Sequence, residues 1–277
     1  MNSLQKIIKY GAMAFAIILI VGIISSIASA IFGIGFFLAS PRETKNIKQD
    51  YNDFNAIEIN NGVGDVEIIA SDKFSLEALN LSVNAQIENN KGKLVVSNDE
   101  QIFNLFGWNL RDDDNTKIII KVPADFQLTE IVIKNGAGKV EISDLSTIFL
   151  KLETGVGKFS ANNLTSEKTE IDGGVGEVRI ENSKIGNLYL NSGVGDIYIG
   201  GDITGNNRIE CGVGKVAIEL IRNIKEYNIQ VKTGLGDVKF NQKKVGDQFN
   251  SNATIADIIS VDGGIGEINI NFPEEIS

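Results

Sequence analysis

One short block of residues returns along this sequence at a constant interval. The block reads glycine, apolar residue, glycine, charged residue, apolar residue. Its regular copies begin at Gly136, Gly155, Gly174, Gly193 and Gly212, a constant step of nineteen positions, and their second glycines are Gly138, Gly157, Gly176, Gly195 and Gly214. A fixed period in this range is typical of a chain built from stacked repeats. The repeat therefore predicts a solenoid, in which equivalent residues of successive coils lie above one another.

Less regular copies of the block flank this run. Gly62-Val63-Gly64 lies far upstream of the first regular copy. Gly234-Leu235-Gly236 and Gly264-Ile265-Gly266 follow the last regular copy, at steps that are longer than the regular one. The spacing predicts less regular coils at both ends of the stack, the last of which closes at Ile268-Asn269-Ile270.

Four columns of apolar residues appear when the five regular blocks are aligned on their first glycine, and we expect all four to face the core. Alternation such as Val178-Arg179-Ile180 has the period of a strand with one buried face. Two glycines in every repeat exclude a helix. The columns lie three places before the glycine (Ile133, Leu152, Ile171, Leu190, Ile209), one place after it (Ala137, Val156, Val175, Val194, Val213), four places after it (Val140, Phe159, Val178, Ile197, Val216) and six places after it (Ile142, Ala161, Ile180, Ile199, Ile218).

The paired glycines predict a tight corner between two short strands, because a bulkier residue would need a positive φ or would collide with the next coil. The column before the first glycine is small, as such a corner requires. The column after the second glycine is charged, so a row of charges is expected along the outside, about 4.8 Å apart. Lys158 over Glu177 and Asp196 over Lys215 are the expected favourable pairs.

The N-terminal region predicts a membrane anchor. Residues 11–40 carry no charge, and this uncharged stretch is longer than the roughly 20 residues that cross a bilayer. A cleaved signal peptide is the alternative. The charges on the two flanks hardly decide the orientation, but the short N-terminal segment and the long following domain favour an extracytoplasmic solenoid. The expected localisation is the cell membrane, with a single pass through it.

The whole chain is therefore divided into six parts, with a pattern failure at residues 99–115 inside the fourth. The expected parts are a short N-terminal segment (1–10), a transmembrane helix (11–40), a linker (41–55), irregular first coils or capping strands with a loop at 99–115 (56–130), the regular solenoid (131–272) and an acidic tail (273–277).

The loop at residues 99–115 carries an aromatic group, Phe103, Phe106 and Trp108. These side chains either cover the end of the solenoid as a cap or contact a partner or the lipid surface. Asp112-Asp113-Asp114 follows in the same loop and is interpreted as solvated, with cation binding as the alternative.

Several kinds of chemistry find no support in this composition. The chain has no histidine, which excludes catalytic triads and zinc sites built on that residue. Cys211 stands in the small corner column and is interpreted as structural. The blocks lack the aspartate of calcium-binding glycine-rich repeats, and a net charge of −10 argues against a nucleic-acid partner. No cofactor or metal is therefore expected.

The glycine blocks and the preceding Lys121-Val122-Pro123 segment resemble the bacterial putative-adhesin families of unknown function with β-strand repeats. The resemblance covers residues 50–272 and extends to membrane-anchored relatives of head-domain autotransporter adhesins. It implies an all-β fold, a right-handed parallel β-helix displayed at the cell surface. It carries no agreed catalytic residues, so none is assigned.

The leading hypothesis is a non-enzymatic, membrane-anchored β-solenoid that binds, adheres or scaffolds at the bacterial cell envelope, with an accessory role in envelope-stress signalling as one form of it. Its partners would be the membrane, through residues 11–40, and an unidentified protein or glycan. One alternative is a polysaccharide-active β-helix enzyme, which would need acidic residues clustered on one outer face. Another is a structural protein that assembles end to end through open coils.

Overall fold

The computed structural model describes residues 43–98, 116–251, 253 and 255–273. The predicted transmembrane helix (11–40) and the loop at 99–115 lie outside these residues. From Thr44 onward the described residues belong to one unit, Thr44–Glu100 with Asn115–Ser277. Among them, no helix is long and apolar enough to cross a membrane.

The described residues form strands and one short 3-10 helix, Ile224–Glu226. The strands are β1 (Thr44–Asp50), β2 (Ala56–Val63), β3 (Asp65–Ser71), β4 (Ser75–Ser82), β5 (Gln86–Asn90), β6 (Lys93–Asn98), β7 (Lys117–Pro123), β8 (Gln127–Ser143), β9 (Ser146–Asn162), β10 (Thr165–Val175), β11 (Val178–Gly186), β12 (Leu188–Val194), β13 (Ile197–Thr204), β14 (Asn206–Val213), β15 (Val216–Leu220), β16 (Asn228–Leu235), β17 (Val238–Phe240), β18 (Lys243–Gly246), β19 (Gln248–Asn250), β20 (Ile258–Ile265) and β21 (Ile268–Asn271).

The regular run is a stack of parallel coils, as predicted from the constant period of the blocks. Leu152 pairs with Ile133 on one side and with Ile171 on the other, so each step along the stack advances the sequence by one repeat. Every coil has a first arm that ends at the paired glycines and a second arm that follows them. All-β architecture with solenoid-like stacking is therefore confirmed, whereas the right-handed course of the coils stays a prediction.

The core fills the space between the two arms. Three of the four predicted apolar columns are buried, and most of their members are less than 3% exposed. These are the columns that begin with Ile133, Val140 and Ile142. Their stiff β-branched and leucine side chains pack on the pleated inner faces of both arms.

A second corner, which sequence analysis did not predict, closes the second arm. Asp144, Asn163, Asn182 and Gly201 stand one repeat length apart, and all four have positive φ angles, between 51° and 144°. Asparagine and aspartate tolerate this conformation better than other side chains do. The Nδ2 of Asn163 also donates to the Oδ1 of Asp144 at 2.8 Å, which links one coil to the next.

The coils do not all stack in chain order, which the spacing of the glycine blocks did not predict. The final coil, β20–β21, lies between the β14–β15 coil and the β16–β17 coil and pairs in parallel with both. The β2–β3 coil likewise lies between the later β6–β7 coil and β8. Each of these two coils is therefore second from an end of the parallel stack.

Antiparallel strands terminate both ends of the stack. At one end β5 pairs with β6, β4 pairs with β7, and β1 pairs with β4. At the other end β19 pairs with β16 and β18 with β17. Residues 41–55, predicted to be a linker, thus contain an edge strand, β1. Its mostly exposed polar residues gave it the composition of a linker.

Candidate functional site: the glycine corner

The glycine corner is the most regular surface feature of the described residues, and the backbone of the neighbouring coil dictates its composition. A Cβ on Gly155 would collide with the carbonyl oxygen of Gly136. Gly157 has a φ of +152°, and a Cβ there would overlap the carbonyl oxygen of Gly138. The same collisions recur at the other blocks, so the predicted structural role of the ten repeat glycines agrees with the geometry.

The apolar residue between the two glycines lies on the outside of the corner, which corrects the prediction that this column faces the core. Val156 is 57% exposed, Val175 44% and Val194 41%. The chain turns at the second glycine immediately after this position, so strict alternation of inward and outward side chains ends there. The three valines protrude from the bend instead of joining the core.

The residues at this position form one continuous line, which we call the valine ridge; its three central valines are exposed and its other members are partly exposed. Adjacent members are direct partners in the parallel ladder, so their spacing is about 4.8 Å and the line is about 34 Å long. In stack order the ridge consists of Val63, Ala137, Val156, Val175, Val194, Val213, Ile265 and Leu235.

A shallow trough runs beside the ridge on the outer face of the first arm. It has a volume of 530 Å³, and its floor is the backbone of Gly62, Gly136, Gly155 and Gly174. Lys134, Glu153 and Asp172 border it. The trough exists because the first glycine of each block carries no side chain at an outward-facing position.

Charged residues flank the other side of the ridge. The Nζ of Lys158 lies 3.0 Å from the Oε2 of Glu177, which confirms the first stacked pair predicted from the sequence. The second predicted pair takes another form, because the Oδ1 of Asp196 accepts the backbone N–H of Lys215 at 2.8 Å. Asp65 accepts the backbone N–H of Lys139 in the same way, at 2.9 Å. In both cases the aspartate that follows the second glycine accepts a backbone N–H from the next coil of the stack.

Two carboxylates near the corner, Glu153 and Glu177, are stabilised in the charged form. Hydrogen bonds from Lys158 and Arg179 lower the pKa of Glu177 below its ordinary value. Hydrogen bonds from Lys151 and Lys134 lower the pKa of Glu153. This direction is that of ion-paired carboxylates and the opposite of what a general acid needs. In the part of the chain that the structure describes, no group of three or more metal-ligating side chains is found.

A buried ladder of asparagines supports the corner at one end of the stack. The Nδ2 of Asn98 donates to the Oδ1 of Asn61 at 2.9 Å, and the Nδ2 of Asn61 donates to the Oδ1 of Asn135 at 2.8 Å. All three side chains are at most 4% exposed. From the sequence, the position before the first glycine was predicted only to be small. The sequence feature that could have indicated the ladder is the asparagine that directly precedes the first glycine in two blocks, Asn61 before Gly62 and Asn135 before Gly136.

The aromatic residues that were predicted as a cap or contact site, Phe103, Phe106 and Trp108, lie outside the described residues. The strands on either side of them are described. Asn98 at the end of β6 pairs with Asn61, and Lys117 at the start of β7 pairs with Asp65. In the sequence, residues 99–116 thus correspond to residues 62–64 of the neighbouring coil, which form its glycine corner.

Cys211 is buried in the small column beside the corner. Its Sγ contacts the carbonyl oxygen of Gly195 at 3.6 Å, and burial raises the pKa of its thiol. A raised pKa disfavours the reactive thiolate. This environment agrees with the structural interpretation of Cys211.

Repeated glycine corners on a parallel stack with antiparallel ends characterise this fold, and a family comparison assigns it. The sequence profile of Toastrack DUF4097 matches residues 54–276. The chain belongs to the Toastrack family. The resemblance to a putative-adhesin family that the glycine blocks indicated is thereby confirmed.

Solved structures similar to this Toastrack chain have low sequence identity. A putative cell adhesion protein from Clostridium sporogenes is 16% identical, with 83% of this chain and 100% of that chain covered and a TM-score of 0.36. A putative adhesin from Bacteroides fragilis is 17% identical, with 84% and 100% covered and a TM-score of 0.36. No curated protein matches the chain.

Proposed function

We propose that this Toastrack chain is a non-enzymatic, membrane-anchored module that binds a protein partner at the bacterial cell envelope through its glycine corner. The observation that carries the proposal is the exposed valine ridge. Continuous lines of exposed aliphatic side chains on soluble domains mark interaction surfaces. Here Val156, Val175 and Val194 form such a line on three adjacent coils, and the partly exposed apolar residues at the same position of five further coils extend it.

The composition of the ridge favours a protein over a glycan as the partner. Its side chains are aliphatic, and the neighbouring rows carry charges of both signs, such as Lys134, Asp172 and Lys215. An apolar centre with a charged rim is the usual arrangement of a protein interface. A glycan partner is the other outcome that the experiment below distinguishes.

Two alternatives receive less support from the geometry. A polysaccharide-cleaving enzyme needs a carboxyl group with a raised pKa, whereas the pKa values of Glu58, Glu77, Glu153 and Glu177 are all lowered by ion pairing. End-to-end assembly needs open coils, whereas antiparallel strands cover both ends of the parallel stack in the described residues.

A photo-crosslinking amino acid at Val175 tests the proposed surface in living cells. We expect a discrete adduct with a protein from this position, and its loss when Val156→Glu and Val194→Glu are added. The matched control carries the crosslinker at Asn162, which is also exposed but lies at the far end of the second arm. Adducts of equal yield at both positions would refute the ridge as the contact surface, and a carbohydrate adduct would identify a glycan partner.

Membrane anchoring and an extracytoplasmic location rest on the uncharged residues 11–40 and need a separate test. Single cysteines at Asn162 and Asn206, both exposed, are placed in a Cys211→Ser background. We expect a membrane-impermeant thiol reagent to label both positions in intact cells. Protection until lysis would place the solenoid in the cytoplasm and would overturn the envelope assignment. An accessory role in envelope-stress signalling stays part of the proposal.

A further inference from the structure

The glycine corner carries a raised line and a bare line side by side. The valine ridge lies at the bend, and the first glycine of each block comes one residue before it, at least partly exposed and without a side chain. Both lines repeat at the coil spacing of about 4.8 Å. A two-fold rotation between them would lay the ridge of each copy of this chain along the glycine line of another copy.

Two rows of mostly charged residues run parallel to these lines, one on each side. The trough row lies two places before the first glycine, and in stack order it runs from Asn60 to Lys232. The corner row directly follows the second glycine and runs from Asp65 to Asp237. Members of both rows are exposed or partly exposed. The rotation that exchanges ridge and glycine line also places the trough row of one copy against the corner row of the other.

The charges of the two rows are complementary when two antiparallel copies overlap over all eight coils. Six positions then bring charged residues of the two copies together, and five of these pairs are opposite in sign. They are Lys134 with Glu267, Glu153 with Lys215, Glu210 with Lys158, Asp262 with Lys139, and Lys232 with Asp65. The remaining pair is Asp172 with Asp196.

Neighbouring registers lose this complementarity. A shift by one coil in one direction gives one opposite pair and four like pairs, and a shift in the other direction gives three of each. Charge complementarity fixes register and disfavours wrong partners more than it adds affinity. The register with the greatest overlap is thus also one that the charges favour, and this coincidence selects a second copy of the chain as the occupant.

We propose that the glycine corner is the face of a two-fold symmetric dimer, in which the valine ridge of each copy lies on the glycine line of the other. The inference rests on the proposed function, because it names the protein partner of the same ridge. Eight coils and five residue steps define a face of about 38 by 16 Å, so the dimer buries about 1,200 Å² in total. This area is at the lower end of specific interfaces.

A disulfide between two ridge positions tests the antiparallel arrangement. Two full-length copies with different affinity tags are co-expressed in a Cys211→Ser background, one with Val156→Cys and the other with Val213→Cys. These positions face each other in the proposed dimer. Within one chain they lie three coils apart, about 14 Å, which is too far for an internal disulfide. We expect a linked dimer that carries both tags after mild oxidation.

The matched controls use the same two substitutions in the other combinations. Both copies carry Val156→Cys in one control and Val213→Cys in the other, so that the two cysteines of each proposed dimer lie about 14 Å apart. We expect the mixed pair to give several times the yield of either control. Equal yields would mean random collision and would overturn the dimer. A higher yield from two Val156→Cys copies would indicate a shorter overlap of five coils and would overturn the proposed register.

The like-charged pair provides a substitution that should strengthen the dimer. Asp172→Lys makes all six pairs opposite in sign, so we expect it to raise the linked yield of the mixed pair several-fold. Asp125→Lys is the control, because it changes the net charge equally and lies in an exposed turn before β8. Equal yields from the two variants would contradict the proposed register.

The crosslinker at Val175 separates failure of this inference from failure of the proposed function. An adduct with a different protein, together with linked dimer at the control level, would refute the dimer and leave the proposed function standing. An adduct with a second copy of the chain supports both. Absence of any adduct above the Asn162 control, second copy included, would refute both.

Discussion

At the scale of single residues, the repeat is governed by contacts between backbones. Each glycine of the corner lies against a carbonyl oxygen of the neighbouring coil, so a Cβ at that position would collide with this oxygen. The residue between the two glycines lies at the bend, where Val156, Val175 and Val194 are exposed to solvent. The glycines are therefore determined by the stack, whereas the valines are free to serve a surface role.

Gly157→Ala is expected to destabilise the fold by about 3–5 kcal/mol, from the cost of positive φ and from overlap with the backbone of Gly138. Gly173→Ala is the matched control, since its φ is not positive and the nearest atom to an added Cβ is 3.7 Å away. The control should be neutral or stabilising by up to about 1 kcal/mol. Urea unfolding followed by circular dichroism measures both. A small cost at Gly157 would contradict the stacked-corner geometry.

Glu177→Gln tests the charge row through its pH dependence. The pKa of Glu177 is lowered from an ordinary value of 4.5, mainly by Lys158 and then by Arg179. Its contribution is therefore present above about pH 4.5 and is lost as the pH falls through the lower folded-state pKa. Because these groups are partly exposed, we expect a loss of less than about 1 kcal/mol at neutral pH. The difference from the parent should vanish in acid, and a difference that persists there would exclude the ion pairs as its cause.

At the scale of elements, the sequence predicted the columns that face the core but not the column at the bend. Three apolar columns have the alternation of a strand and are buried. The fourth, which begins with Ala137, shares that alternation, but the turn at the next glycine reverses its orientation. Edge strand β1 was missed for a related reason, because exposed polar residues of a strand have the composition of a linker.

The asparagine ladder joins three coils through buried side chains. Asn61→Ala removes its middle member and leaves Asn98 and Asn135 each with an unsatisfied group. We expect a cost of about 2–4 kcal/mol, since each buried polar group that loses its partner costs about 1–3 kcal/mol. Ser192→Ala at the same position of another coil is the control. Its hydroxyl has no hydrogen bond within the described residues, so the cost there should stay below about 1 kcal/mol. Equal losses in the free energy of unfolding, measured in urea, would show that the asparagine hydrogen bonds add no stability beyond that of an ordinary side chain at this position.

At the scale of the whole molecule, the order of the stack could not be predicted from the blocks. Gly234-Leu235-Gly236-Asp237-Val238 and Gly264-Ile265-Gly266-Glu267-Ile268 present the same chemistry to a neighbouring coil. Either could lie on the coil of Gly212. The structure places the later block there and the earlier block outside it. The order of these two coils therefore depends on long-range pairing between equivalent blocks, and local sequence propensity does not specify it.

This order predicts how the molecule opens. In a solenoid stacked in chain order, the first and last coils have one neighbour each and exchange their amide hydrogens first. Here the first and last coils of the chain have neighbours on both sides. We therefore expect the amides of β2 and β20 to be protected as strongly as those of β9, and the edge strands β1 and β18 to exchange early. Hydrogen exchange measured by mass spectrometry resolves these segments.

A graded loss of protection toward both chain ends would contradict the inserted order, whatever the overall stability. Fast exchange confined to β20–β21, with β2 still protected, would instead mean that this coil separates from β14–β15 and β16–β17 without global unfolding. The Oδ1 of Asp257 accepts the backbone N–H of Gly205 at 2.7 Å, just before β20 begins. The Asp257→Ala variant therefore separates local from global opening, because the loss of this contact should speed exchange in β20 and leave β9 unchanged. Equal protection of β2, β20 and β9 would attribute resistance to fraying to stack position, since β2–β3 and β20–β21 each have a parallel neighbour on both sides.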